Sequence, residues 1–142
     1  MTCRKNEAGL KAGCLAQKAC RKNKPCVFGV GVDIEDISRF KKKPFAENNA
    51  FYKKIFTGRE IKYCLPKPAP WQHFAARFCA KEAFVKALGK KMPLKGIEVL
   101  RAEGKPCLKV KGFKNLQAHV SMSHAKGYAI AFVVLEKTGE LQ

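Results

Sequence analysis

Trp71 to Gly89, WQHFAARFCAKEAFVKALG, is the stretch whose reading decides the fold. It predicts one long helix. Pro70 precedes it, where a missing N–H costs nothing, and Gly89 follows where a helix ends on a residue of positive φ. Neither Pro nor Gly interrupts it. At about 100° per residue, Trp71, Phe74, Ala75, Phe78 and Val85 fall on one apolar stripe, with Glu82 near its middle. A carboxylate on the buried side of a helix is costly unless a charge meets it. Arg77 and Lys81 line one flank of that stripe and Lys86 the other. Two readings are open: a metal or phosphate site built on Glu82, or a salt bridge from Glu82 to Arg77 or Lys86 at the edge of a core helix.

Upstream, Val27 to Ile34, VFGVGVDI, predicts a strand. Phe28, Val30, Val32 and Ile34 face one way, and Gly29, Gly31 and Asp33 the other. One face carries no side chain before the Asp33 carboxylate, which predicts open space beside an acid. Asp36 suits the cap of the next helix, whereas Asp33 is still in the strand. That helix starts at Ile37 and presents Arg39, Lys41, Lys42 and Lys43, and Pro44 stops it. Phe45 to Phe56 gives a second helix. Thr57 and Glu60 have the spacing of a capping box that opens a third, ending before Pro66. Residues 66–70, PKPAP, form a stiff connector into the long helix.

Downstream, Lys90 to Lys95 is a basic loop. Gly96 to Glu103 and Pro106 to Val110 read as a hairpin turning at Gly104. Residues 111–118 give no clear pattern. His119 to His124 alternates as a strand and turns at Ala125 to Gly127. Tyr128 to Glu136, YAIAFVVLE, is apolar on both faces and so is a central or interface strand. The sum is an α+β domain.

The chain has 142 residues, one domain's worth. Its 29 basic against 11 acidic residues give a net charge of +18. Such a balance predicts a polyanionic partner: nucleic acid, anionic lipid, a phosphorylated ligand or an acidic protein. No apolar run approaches the ~18 residues of a membrane span. The cysteines number seven, with no C-x-x-C pair. That argues against a zinc ribbon or a secreted disulfide framework and for free thiols in a reducing cytoplasm. Residues 1–26 are basic, carry Cys3, Cys14, Cys20 and Cys26, and have poor hydrophobic periodicity. They read as a flexible extension ahead of a domain at 27–142.

No glycine-rich dinucleotide or P-loop pattern and no nucleophile elbow is present. Asp33 and Glu82, on elements that must pack together amid many bases, suit Mg²⁺ carrying a phosphorylated ligand. Mg²⁺ takes one or two carboxylates, with water and phosphate oxygens completing its octahedron. His124, Lys126 and the loop 90–95 add phosphate-compatible donors. The combination points to phosphoryl or phosphodiester transfer rather than hydrolysis by a protein nucleophile.

Four segments then come together: VFGVGVDIEDISRF at 27–40, IFTGRE at 55–60, RFCAKEAFVKALG at 77–89, and HVSMSH at 119–124 followed by YAIAFVVLE. Their order and spacing resemble the holo-acyl-carrier-protein synthases, the small bacterial phosphopantetheinyl transferases. The resemblance implies one strand, several helices and then antiparallel strands, in a homotrimer with active sites at subunit interfaces. It implies transfer of 4′-phosphopantetheine from coenzyme A to a serine of apo acyl carrier protein, for fatty acid biosynthesis. By the same resemblance Asp33 and Glu82 are Mg²⁺ ligands and, with Lys86, the catalytic set. Lys81 and Lys86 are expected near the coenzyme A phosphates. Arg77, Ser123 and His124 are expected on the coenzyme A, with Arg77 and His124 at its nucleotide, and Arg39 on the acidic carrier protein. The base for the serine is Glu82, Asp33 or a water on the metal. After ALG the family continues with a Thr-Gly pair, where this chain has Lys90-Lys91-Met92-Pro93. Charge alone would equally suit a basic nucleic-acid-binding module without catalysis, though no such motif is recognised.

Overall fold

The computed structural model describes residues 26–138. The expected basic extension therefore lies, but for Cys26, outside the described residues. The chain runs β1 (Cys26–Asp36), α1 (Ile37–Lys41), α2 (Asn49–Ile55), α3 (Gly58–Cys64), α4 (Pro70–Leu88), a 3₁₀ turn (Leu94–Gly96), β2 (Ile97–Ala102), β3 (Lys105–Val110), β4 (Leu116–His124) and β5 (Tyr128–Lys137). One antiparallel sheet has the order β1-β5-β4, and β2 and β3 form a separate hairpin. β5 is the central strand, as its two-sided apolar pattern requires. β4 begins at Leu116, within the stretch that showed no pattern. Among the described residues no helix is long and apolar enough to cross a membrane.

The local signals act where they stand in sequence. The Asp36 carboxylate accepts the Ser38 N–H at 2.7 Å and caps α1. Thr57 and Glu60 close the capping box of α3. Pro70 opens α4, and Gly89 ends it with φ of 70°.

α4 is the element everything else covers. It is buried through Phe74, Ala75, Ala76, Arg77, Phe78, Cys79, Ala80, Lys81, Ala83, Phe84, Ala87 and Leu88, so nearly all round from its second turn. The expected stripe is thus only part of its buried face: Phe74, Ala75 and Phe78 are buried, whereas Trp71, Glu82 and Val85 are only half-buried. The alanines and Cys79, weak in any hydrophobicity count, are what the closest packing uses. On the other side Phe74 joins an aromatic cluster with Tyr52 and Phe56, at ring-centroid distances of 4.6 and 5.0 Å.

The glycine face of β1 does not open a space. It is filled by the backbone of α4. A Cβ built on Gly29 would lie 1.9 Å from the Ala87 carbonyl oxygen, and one on Gly31 2.0 Å from that of Ala83. Only hydrogen in place of a side chain lets strand and helix meet this closely. Gly31→Ala is therefore expected to destabilise the fold by about 3 kcal/mol, the upper end for overpacking a rigid contact. Urea denaturation measures it, and a loss under about 0.5 kcal/mol, the scale of a surface substitution, would contradict this account.

Candidate active site

The close approach of β1 to α4 fixes the first half of the site. Gly29 meets Ala87 and Gly31 meets Ala83, so two strand residues match four helix residues. Those spans are about 6.8 Å and 6 Å, nearly commensurate. The next inward residue, Asp33, accordingly comes to Cys79, whose thiol is pushed up to about 12, first by burial and then by the Asp33 charge. Glu82 and Lys86, on the same helix, flank this position. Lys86 Nζ donates to Asp33 Oδ1 at 2.8 Å and to the Val32 carbonyl at 3.0 Å. That hydrogen bond raises the Lys86 pKa above its ordinary value, and the charges of Asp33 and Glu82 add to it.

Glu82 has no ion-pair partner within 4 Å among the described residues; Lys86 is on Asp33 instead. The salt bridge from Glu82 to Arg77 or Lys86 is thus absent. Burial, and next the Asp33 charge, raise the Glu82 pKa above the usual carboxylate range. Two hard-oxygen carboxylates that repel each other are a donor set suited to a small divalent cation. Among the described residues no third acid, histidine or cysteine joins them as a possible ligand. Nearby Glu35 is held by Arg39 at 2.7 Å.

The second half is a cup lined by Tyr63, His73, Arg77, Arg101, Ser123 and His124, with Met122 and Pro106 at its apolar side. Arg77 is 4% exposed, yet its Nε has no hydrogen-bond partner among the described residues. Its Nη1 donates to the His73 carbonyl at 3.3 Å, and its guanidinium lies 4.2 Å from the Tyr63 ring centroid. Among the described residues no carboxylate lines the cup. A buried, unneutralised guanidinium in an acid-free pocket calls for an anion.

The sheet register joins the two halves. Ala131 on β5 pairs with Asp33 on one side and with Met122 on the other. Asp33 and Met122 therefore lie at the same level of the sheet, two strand spacings or about 10 Å apart.

The sequence model of the 4′-phosphopantetheinyl transferase superfamily matches residues 29–133. A holo-[acyl-carrier-protein] synthase of Thermodesulfovibrio yellowstonii is 46% identical over 112 residues, covering 77% of this chain and 98% of that protein. The chain belongs to the holo-acyl-carrier-protein synthases of this superfamily. The corresponding protein of Chloroherpeton thalassium is 43% identical over 116 residues, covering 75% of this chain and 96% of that one. A crystal structure of the Bacillus anthracis holo-(acyl-carrier-protein) synthase in complex with CoA (3′,5′-ADP) superposes with a TM-score of 0.69 at 33% identity, covering 79% of this chain and 98% of that one.

For a member of the holo-acyl-carrier-protein synthase family one expectation needs correction. Lys81 is turned into the protein. It is fully buried, and its Nζ is 2.7 Å from Glu60 Oε2, 3.0 Å from the Ile55 carbonyl, 3.2 Å from that of Leu94 and 2.6 Å from that of Ile97. Three protons shared among four acceptors leave none for a ligand. Burial holds the Lys81 pKa below its ordinary value, and Glu60 opposes that. Asp33, Glu82 and Lys86 come together as one group, and Arg77, Ser123 and His124 as another. Arg39 stands at the edge of the first group, exposed, paired with Glu35 and with its guanidinium 5.1 Å from the Phe78 ring centroid. Sequence reasoning missed Tyr63, His73 and Arg101 in the cup. Arg101 and His73 come from separate elements, and no local pattern marks either.

Proposed function

We propose that this chain transfers 4′-phosphopantetheine from coenzyme A to a serine hydroxyl of apo acyl carrier protein, releasing adenosine 3′,5′-bisphosphate, and so serves fatty acid biosynthesis. The observation that carries the reading is the grouping of Asp33, Glu82 and Lys86 on one side and, on the other, a cup that no acid lines among the described residues and whose Met122 lies at the Asp33 level of the sheet. A ligand with a pyrophosphate at one end of a nucleotide and a phosphomonoester at the other matches two such anion sites. Asp33 and Glu82 would hold Mg²⁺. When bound it supplies charge neutralisation on the pyrophosphate and orients it. Lys86 adds a fixed positive charge beside the reacting phosphorus. The carrier serine oxygen bonds to the β-phosphorus as the bond to the bridging pyrophosphate oxygen breaks, and the bisphosphate leaves with that oxygen. The serine proton goes to the Glu82 carboxylate. Glu82 suits this better than Asp33, because Lys86 pairs with Asp33 at 2.8 Å while no cation lies within 4 Å of Glu82 among the described residues. Arg77, Ser123 and His124 grip the nucleotide, and Arg39 meets the acidic carrier protein.

The working assembly in this reading is a homotrimer with its sites at subunit interfaces. The outer face of the three-stranded sheet supports it: Val32, Ile34, Ile130 and Phe132 are 50%, 63%, 42% and 44% exposed and form one apolar surface. Such a surface calls for a partner. Residues 27–142 form the transferase domain, 1–26 a basic extension, and the compartment is the cytoplasm. Nothing in the site favours nucleic-acid binding over this reading.

Incubation with apo acyl carrier protein and coenzyme A is expected to add one phosphopantetheine to the carrier, read by mass spectrometry, only when Mg²⁺ is present. Light scattering is expected to give three times the 15.8 kDa chain mass. No mass gain on the carrier sinks the reading, and a monomeric mass with full activity sinks the trimer.

A further inference from the structure

The cup around Arg77 holds more than the groups for which the resemblance supplies a role. His73, in the first turn of α4, lines it. Its carbonyl accepts Arg77 Nη1. Its ring stands edge-on to Tyr63, with centroids 6.1 Å apart, and to His124, with centroids 6.3 Å apart. Every element packed around it presents a base or a neutral donor. α3 brings Tyr63, and the connector after it Lys67, whose Nζ is 4.6 Å from the Tyr63 centroid. α4 itself brings Arg77. β2 brings Arg101, whose Nη1 approaches the Tyr63 hydroxyl at 3.5 Å, and β4 brings His124. Among the described residues no acid lines the cup.

We propose that His73 is a specificity-determining residue that reads the phosphomonoester of the bound nucleotide, taking up a proton as the phosphate dianion enters the cup. The proposal rests on the coenzyme A reading above. Without a ligand, burial first and then Arg77, His124, Lys67 and Arg101 hold the His73 pKa below its ordinary value, so the ring is neutral. A dianion reverses that field, because an opposite charge within ~4–6 Å favours the protonated imidazole. The imidazolium then donates to the phosphate beside the Arg77 Nε that is otherwise unpaired. A ligand lacking this phosphate leaves a buried guanidinium unanswered and leaves His73 uncharged. A site built in this way rejects the analogue that lacks the group more strongly than a merely apolar pocket could.

Calorimetry near neutral pH, in two phosphate-free buffers of different ionisation enthalpy, tests this on the whole chain. The probes are adenosine 3′,5′-bisphosphate and adenosine 5′-monophosphate. Wild type is expected to take up protons with the bisphosphate but not with the monophosphate. His73→Gln is expected to lower that uptake and to cut the preference for the bisphosphate by about tenfold, the order of one hydrogen bond to a charged group. In wild type, NMR titration of the His73 ring is expected to show its pKa rising on bisphosphate binding. That measurement stands whether or not the variant folds. Unchanged uptake and preference in His73→Gln, or a ring pKa that the bisphosphate does not move, overturns the inference and leaves the transferase reading intact. Failure of wild type to bind the bisphosphate while it still modifies the carrier also overturns the inference alone. Failure of both overturns the reading beneath it as well.

Discussion

Glu82→Gln is expected to fold as firmly as the natural chain and to lose carrier modification by a factor on the order of 10²–10⁴, the range for removal of a general base. The two halves of that result have separate causes. Glu82 is half-buried, no cation lies within 4 Å of it among the described residues, and the Asp33 charge acts against it. Its folded-state pKa is raised, so its contribution to stability is full below the unfolded-state pKa and is lost as pH rises through the folded value. At neutral pH the charge therefore opposes folding, and glutamine, of the same shape, removes that opposition without leaving a counterion stranded. The same substitution removes both the base and one of two proposed metal ligands. Asp33→Asn differs in kind, since it releases Lys86, whose half-exposed pair with Asp33 contributes only about 0–1 kcal/mol. A stable Glu82→Gln with activity within about tenfold of wild type would remove Glu82 from the chemistry. Single-turnover mass measurement alongside urea denaturation separates the two effects. A residue that costs stability and carries activity is the signature of a site rather than of a core.

How much of this was legible in the sequence depended on range. Signals acting over three or four residues survive intact: the Asp36 cap, the box of Thr57 and Glu60, Pro70 at one end of α4 and Gly89 at the other. The two-sided apolar pattern of Tyr128 to Glu136 gave β5 its central place. The bare face of β1 was seen, but its meaning was reversed. Glycines leave room, and from one strand alone nothing says whether that room is a cavity or the seat of a helix. The contacts of Gly29 and Gly31 with the α4 backbone answer that, and it is their closeness that delivers Asp33 to Glu82 and Lys86. The helix stripe misled for a related reason. Periodicity weighs large apolar residues, whereas the tightest face of α4 is made of Cys79, Ala83 and Ala87. Arg77 was found by its motif. Tyr63, His73 and Arg101 were not, because three separate elements bring them together.

Lys81→Met is expected to cost about 3–5 kcal/mol, the range for leaving one partner of a buried ion pair behind. Against the ~5–15 kcal/mol of a typical domain, this is a loss large enough to leave much of the protein unfolded on mild warming. Lys81 and Glu60 are 0% and 1% exposed. Glu60 Oε2 accepts from the Thr57 N–H at 2.8 Å and from Lys81, and its Oε1 accepts from the Val99 N–H at 3.0 Å. This one carboxylate thus ties the start of α3, the middle of α4 and the hairpin strand β2. Methionine fills the volume of the lysine stem but leaves the Glu60 charge with two backbone donors and strips the Ile55 and Ile97 carbonyls of their strongest donor. Glu60→Gln in the same chain removes the stranded charge, so the double variant is expected to lose less than the sum of the single losses, a coupling read from a double-mutant cycle. The cycle also separates the two roles open to Lys81. A lysine on a coenzyme A phosphate would, when replaced, raise the KM for coenzyme A in molecules that remain folded. A lysine that knits three elements together would lower the denaturation midpoint and leave that KM within about twofold, since uniform binding is untouched. The geometry requires the second result, and a KM rising tenfold at an unchanged midpoint would return Lys81 to the site.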